Sequence, residues 1–146
     1  MAFVPQDFDP PQGLSTPEFV LEPLGPEHND SDYAAWTSSI EHIHASPGLE
    51  DWRWPYEMTP EENRRDLEEH AADFAARRGF TYTVLDRPGG GVVGCVYAYP
   101  ANDGVHDVRV RSWVRADRAE LDVSLRRAVR EWLAADWPFR NVEYAG

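Results

Sequence analysis

Between Asp107 and Leu133 the hydrophobic period of the chain changes. Val108, Val110 and Val114 alternate with Arg109, Arg111 and Arg115, which is the period of two of a strand with unlike faces. Leu121, Leu125, Ala128, Val129, Trp132 and Leu133 then recur at helical spacing. The pattern predicts a central strand, a short polar turn and an amphipathic helix. A strand running straight into a helix N-terminus is a place where α/β proteins bind anions, because the first-turn N–H groups are unpaired and the dipole is positive there.

The remaining elements follow from the same reading. Phe19 to Leu24 alternates as a first strand and is closed by Gly25-Pro26. Tyr33, Trp36, Ile40 and Ile43 form one stripe and predict a helix from about Asp30 to His44, capped by Asp30 or Ser31. Thr59-Pro60-Glu61-Glu62 predicts a second helix start, with proline in the first position and Glu62 completing a capping box. Leu67, Ala71 and Phe74 mark its buried side, its carboxylates a solvated face, and Arg77, Arg78 and Gly79 a cationic last turn with a left-handed stop. Phe80 to Asp86 and Gly91 to Tyr99 are β-branched and aromatic strands joined by a glycine-rich turn, hence an antiparallel hairpin. After the long helix, Trp137-Pro138 breaks the chain before a last short strand within Phe139 to Tyr144.

The predicted order is β-α-α-β-β-β-α-β, an α/β domain with a mixed, mainly antiparallel sheet and helices on both faces. It spans residues 18–146. Residues 1–17 carry four prolines and no sustained periodicity, which predicts an extended arm. That arm is either disordered or docked through Phe3, Val4 and Phe8, on its own domain or on a neighbouring subunit.

Ala45 to Met58 is a loop broken by Pro47, Gly48 and Pro55 yet rich in aromatic residues. Trp52, Trp54 and Tyr56 either wall a substrate pocket, as flat amphipathic rings in loops do, or cover the core. Arg109, Arg111 and Arg115 share a strand face with Trp113, and either pair with carboxylates of the acidic helices or line a groove for an anionic ligand.

Composition narrows the classes. The 146 residues are 42% hydrophobic, enough for one domain with a core. A net charge of −12 argues against a general binder of nucleic acid or anionic membrane and favours cationic partners. The lone Cys95 offers no disulfide framework and no cysteine metal site, and His42 and His44, two apart on a helix, point to different faces, so no metal is expected. With no leader-like N-terminus and no bilayer-length apolar stretch, the expected location is the cytoplasm.

A hairpin feeding a strand whose end opens a helix resembles the GNAT family of acyl-CoA-dependent N-acetyltransferases, over about Phe19 to Tyr144. In that family the backbone at the end of the fourth strand pairs with pantetheine, and a loop of pattern Gln/Arg-x-x-Gly-x-Gly/Ala cradles the CoA pyrophosphate on the following helix. Trp113, Val114 and Arg115 match the strand end, and the loop match begins at Arg118 or Ala119. In the first register Leu121 and Val123 stand at the glycine positions; in the second, Asp122 and Ser124 do. Glu120 and Asp122 bring carboxylates to the helix start, which is either satisfied by them or forms an unconventional cofactor loop.

The resemblance implies acetyl-CoA as cofactor, with Trp113, Val114, Arg115 and Arg118 at its site, and N-acylation of a small amine. The alternative is a catalytically inactive GNAT-like domain that binds a small ligand or a protein partner. For catalysis Glu57, Asp107 or His106 are candidate bases, and Tyr97 or Tyr99 candidate acids. The family continues past the fifth strand with a helix that often bears the tyrosine reprotonating the thiolate; no residue up to Gly146 takes that role. The sheet edge left there is expected to pair in a homodimer or with a protein partner, or to be covered by the proline-rich arm.

Overall fold

The computed structural model describes residues 2–146. One sheet holds six strands in chain order: β1 (Leu14–Ser15), β2 (Phe19–Pro23), β3 (Phe80–Asp86), β4 (Val92–Tyr99), β5 (Val108–Val114) and β6 (Val142–Tyr144). Neighbouring strands are antiparallel except β5 and β6, which run parallel. Helices α1 (Asn29–Thr37), α2 (Ile40–His44) and α3 (Pro60–Ala75) lie between β2 and β3, and α4 (Leu121–Asp136) joins β5 to β6.

The alternation along β5 sorts the core into two halves. Val108, Val110 and Val114 pack with Leu121, Leu125, Val129 and Leu133 of α4 on one face of the sheet. Trp113 points to the other face and packs with Trp36, Ile43, Leu49 and Leu67. The mixed sheet with helices on both faces is therefore as the sequence predicts, with one more strand and one more helix.

The extra strand comes from the arm, which docks on its own domain. Val4 is buried, Phe3 stacks on Phe80 and Phe139, and Phe8 packs on Trp137 at 5.4 Å. The Tyr82 hydroxyl donates to the Pro11 carbonyl at 2.6 Å, and β1 pairs with β2. The edge so covered is that of β2; β6, at the opposite edge, is not reached by the arm.

Two local expectations are corrected. The helix predicted from Asp30 to His44 is two helices separated at Ser38 and Ser39. Ser38 bonds the Ala35 carbonyl at 2.8 Å, and the buried Ser39 hydroxyl accepts from the Ala116 N–H at 2.8 Å, so side chains take over where the helical ladder stops. The left-handed residue after α3 is Arg77, with φ of 62°, rather than Gly79. Gly79 serves close approach instead, because the Tyr99 ring lies where a Cβ would stand.

Candidate functional site

A cavity of about 530 Å³ opens on the face of α1 and α3. Tyr97 and Tyr99 of β4 form its floor and Trp52, Trp54 and Tyr56 its roof. One long wall is α3, where Asn63, Asp66, His70 and Asp73 follow at spacings of three and four and so share one helix face. The opposite wall is Arg109 and Arg111 of β5, and Asp32 of α1 closes one end. The start of α3 is pinned by its predicted capping box: Thr59 Oγ1 accepts from the Glu62 N–H at 3.1 Å and Glu62 Oε1 from the Thr59 N–H at 2.9 Å.

The roof is held by its own aromatic contacts. Trp54 lies between Trp36 and Trp113, at 5.4 and 6.0 Å, and Trp52 meets the Tyr97 ring edge-on at 5.4 Å. His44 Nε2 sits 2.8 Å from the Pro55 carbonyl oxygen and ties the loop to α2. These rings thus do both jobs the sequence left open, covering the core with one side and lining the cavity with the other.

The acidic groups are poorly compensated. Asp32 is 4% exposed; its Oδ2 accepts from Asn63 Nδ2 at 3.0 Å, while Oδ1 has no hydrogen-bond partner among the described residues. Burial pushes its carboxyl up to about 6, and the Asp66 charge adds to that. Asp66 makes no ion pair among the described residues, and burial, then the Glu69 charge, raises its carboxyl too.

Beside them, His70 Nδ1 lies 3.0 Å from Tyr99 Oη and 3.1 Å from Thr81 Oγ1, and Tyr99 Oη donates to Asp73 Oδ2 at 2.8 Å. Because that hydroxyl gives its only hydrogen to Asp73, the network assigns the imidazole hydrogen to Nδ1 and leaves the Nε2 lone pair free. Burial holds the His70 pKa below the ordinary histidine value, which favours this neutral form. Tyr97 accepts from Trp113 Nε1 at 2.9 Å, and burial pushes both tyrosines well above the usual phenol range.

Of the residues singled out from sequence, Trp52, Trp54, Tyr56, Tyr97 and Tyr99 converge on this cavity. Glu57 and Asp107 do not. Glu57 is exposed and outside the lining, and Asp107 accepts from the Arg140 and Asn141 N–H groups, both at 2.8 Å, so it fastens the chain leading into β6. His106 is bound to Asp103 at 2.7 Å in an outer loop. Asp32, Asp66 and His70 were not singled out, although the spacing of Asn63, Asp66, His70 and Asp73 was present as a signal. Among the described residues no three His, Cys, Asp or Glu side chains are grouped to hold a metal ion, and no helix is long and apolar enough to cross a membrane.

Solved structures share this architecture. Ribosomal-protein-S5-alanine acetyltransferase from Vibrio fischeri superposes with a TM-score of 0.64 at 15% identity, over 83% of this chain and 66% of its own. The microcin C7 self-immunity acetyltransferase, solved with acetyl-CoA and AMP, gives 0.61 at 11% identity over 88% of this chain and 71% of its own. A GCN5-related N-acetyltransferase from Brucella melitensis gives 0.55 at 17% identity, over 91% and 59%. The fold is the GNAT fold. No family model matches the chain, and no curated protein matches it in sequence.

β6 pairs with β5 only over Val108 to Val110, which leaves a notch beside the end of β5 that leads toward α4. The Arg115 N–H donates to the Val93 carbonyl at 2.7 Å, so by strand alternation it is Ser112 and Val114 whose backbone groups face the notch; of the strand-end residues read from sequence, Val114 faces it and Trp113 and Arg115 do not. The pairing of β5 with β6 ends at Val110 and Tyr144. Beyond it, Ser112 Oγ and Tyr144 Oη bridge the notch at 2.5 Å.

The arginines near the start of α4 are engaged within the protein. Arg115 is bound to Asp117 at 2.9 Å and to the Val92 carbonyl at 3.1 Å, Arg118 to Asp86 and Glu120, and the Ala116 N–H to Ser39. Neither Glu120 nor Asp122 caps the helix, which corrects the reading of a start satisfied by its own carboxylates: Glu120 binds Arg118 and Asp122 binds Arg126 at 2.9 Å. The cations near the start of α4 are engaged, and Glu120 and Asp122 add negative charge there, which opposes a CoA pyrophosphate.

Proposed function

We propose that this protein recognises a small organic amine, as the ammonium ion, in the cavity between α3, β4 and β5. The observation that carries this reading is Asp32, a carboxylate only 4% exposed whose Oδ1 has no partner among the described residues where it lines the cavity, with Asp66, which makes no ion pair among them, in the same lining. Two carboxylates so placed repel each other, and an ammonium between them relieves the repulsion and supplies the missing hydrogen bonds. Trp52 and Trp54 line the same cavity, and aromatic rings add cation–π attraction for an ammonium. An anionic ligand would meet like charge there.

The second reading is an N-acyltransferase that takes the amine as acceptor and acetyl-CoA as donor. The acetyltransferases that share the fold support it, and so does the free Nε2 of His70, available to take a proton from a bound ammonium. Binding without transfer comes first because Arg115 and Arg118 are already paired and Glu120 and Asp122 bring negative charge to the start of α4.

Calorimetric titration with a panel of alkylamines and with acetyl-CoA, on the protein and on Asp32→Asn, tests both. Saturable amine binding that weakens in the variant supports the first reading, and silence toward every amine near neutral pH overturns it. Saturable acetyl-CoA binding together with an N-acetylated product would put the second reading in its place.

A further inference from the structure

Resting on the amine reading, we infer that the ligand is a zwitterion whose anionic end is taken by Arg109, across the cavity from the carboxylates. The two long walls carry opposite charge. On the β5 wall two guanidinium groups share one carboxylate, Glu143. Arg111 takes most of it, binding Oε2 at 2.5 Å and Oε1 at 3.2 Å while also donating to the carbonyls of Gly48 and Val110. Arg109 is left with one bond, from Nε to Glu143 at 3.3 Å.

The terminal nitrogens of Arg109 make no hydrogen bond among the described residues, and its side chain is 43% exposed at the cavity. The other carboxylate within reach, Asp103, is 4.0 Å away and already accepts from His106 and from the N–H groups of Val105 and His106. A guanidinium with a planar pair of free N–H donors is the natural partner of a carboxylate or a phosphate oxygen pair.

The spacing sets the kind of zwitterion. His70 touches Thr81 of β3 and Tyr99 of β4, while Arg109 and Arg111 rise from β5, so the backbones beneath the two walls are one to two strand spacings apart, roughly 5–10 Å. An α-amino acid holds its two charges on one carbon and is the shortest such zwitterion. An ω-amino acid, a lysine read through its side-chain ammonium and its carboxylate, or a dipeptide sets them farther apart and suits the separation of the two walls, lying across the tyrosine floor of β4.

The test is calorimetry on the full chain with ω-amino acids of about four to eight carbons, each matched to the alkylamine of equal length, since such chains cover roughly one to two strand spacings. The expected result is that the best ω-amino acid binds about tenfold tighter than its matched amine. In Arg109→Gln the advantage of the ω-amino acid over its matched amine disappears, and Arg109→Lys restores part of it. Equal binding of the two series, or an advantage that survives Arg109→Gln, overturns the inference while leaving amine recognition intact. Binding of neither series overturns both.

Discussion

Asn63 Nδ2 donates to Asp32 Oδ2 at 3.0 Å, and the same amide spans α1 and α3. It also donates to Asn29 Oδ1 at 2.9 Å and accepts from Trp36 Nε1 at 3.1 Å, so one side chain fixes three groups of α1. The consequence is a carboxylate that cannot swing out to water when it ionises.

That constraint gives Asp32→Asn a pH signature. A carboxyl held at about 6 in the folded state, against 3.8 ordinarily, favours folding fully below the lower value, and that contribution is lost as pH rises through about 6. Above that pH the ionised group costs on the order of 3 kcal/mol. The amide keeps an acceptor for Asn63 and carries no charge, so urea unfolding should show the variant more stable than the parent above pH 6, by up to about 3 kcal/mol. Near pH 4 the two should match. A parent with flat stability between pH 4 and 7 would speak against the buried charge.

Amine binding should follow the opposite course. The ligand needs Asp32 ionised, so affinity should climb as pH rises through about 6 and then level off, as read by titrations on either side of that value. In Asp32→Asn the climb should be much reduced.

Asn63→Ala leaves the Trp36 N–H, the Asn29 carbonyl and Asp32 without their partner in a buried setting. The expected loss is about 3 kcal/mol, larger than the ~1 kcal/mol expected of Thr59→Ala at the start of the same helix. Denaturant midpoints rank the two, and the reverse order would mean that the amide is wetter than its 2% exposure implies.

Trp137 tests the independence of the two sheet faces. It packs on Phe8, Phe80, Trp132 and Phe139, all on the α4 side. Trp137→Ala should cost about 3–5 kcal/mol while the fraction still folded binds amine with unchanged affinity. A parallel loss of affinity would show that the faces are coupled through the sheet.

Much of this architecture was legible because it rests on periods. The alternation of Val108, Val110 and Val114 and the capping box at Thr59 are local signals, and both elements stand where they were read. The split between α1 and α2 was hidden because Tyr33, Trp36, Ile40 and Ile43 keep helical spacing across it: the apolar stripe follows burial, and the break follows the hydroxyls of Ser38 and Ser39. A strand of two residues such as β1 has no period to detect.

Within the site, the aromatic roof was readable from composition alone, while the carboxylates were not. Asp66 and His70 sit in a run of acidic residues that looks like any solvated helix face, and only the arrival of β4, β5 and the roof turns that face inward. Asp107 and Glu57 show the converse, since the partners that make one a fastener and leave the other in water are distant in sequence.

The cavity's roof comes from the loop of residues 45–58, while its floor and long walls come from the paired strands and α3. The roof contributes no strand to the sheet. Its length and its rings are therefore free to drift through substitution or insertion without disturbing strand register, so a lineage could retune what this protein accepts by rewriting fourteen consecutive residues and keeping the chassis.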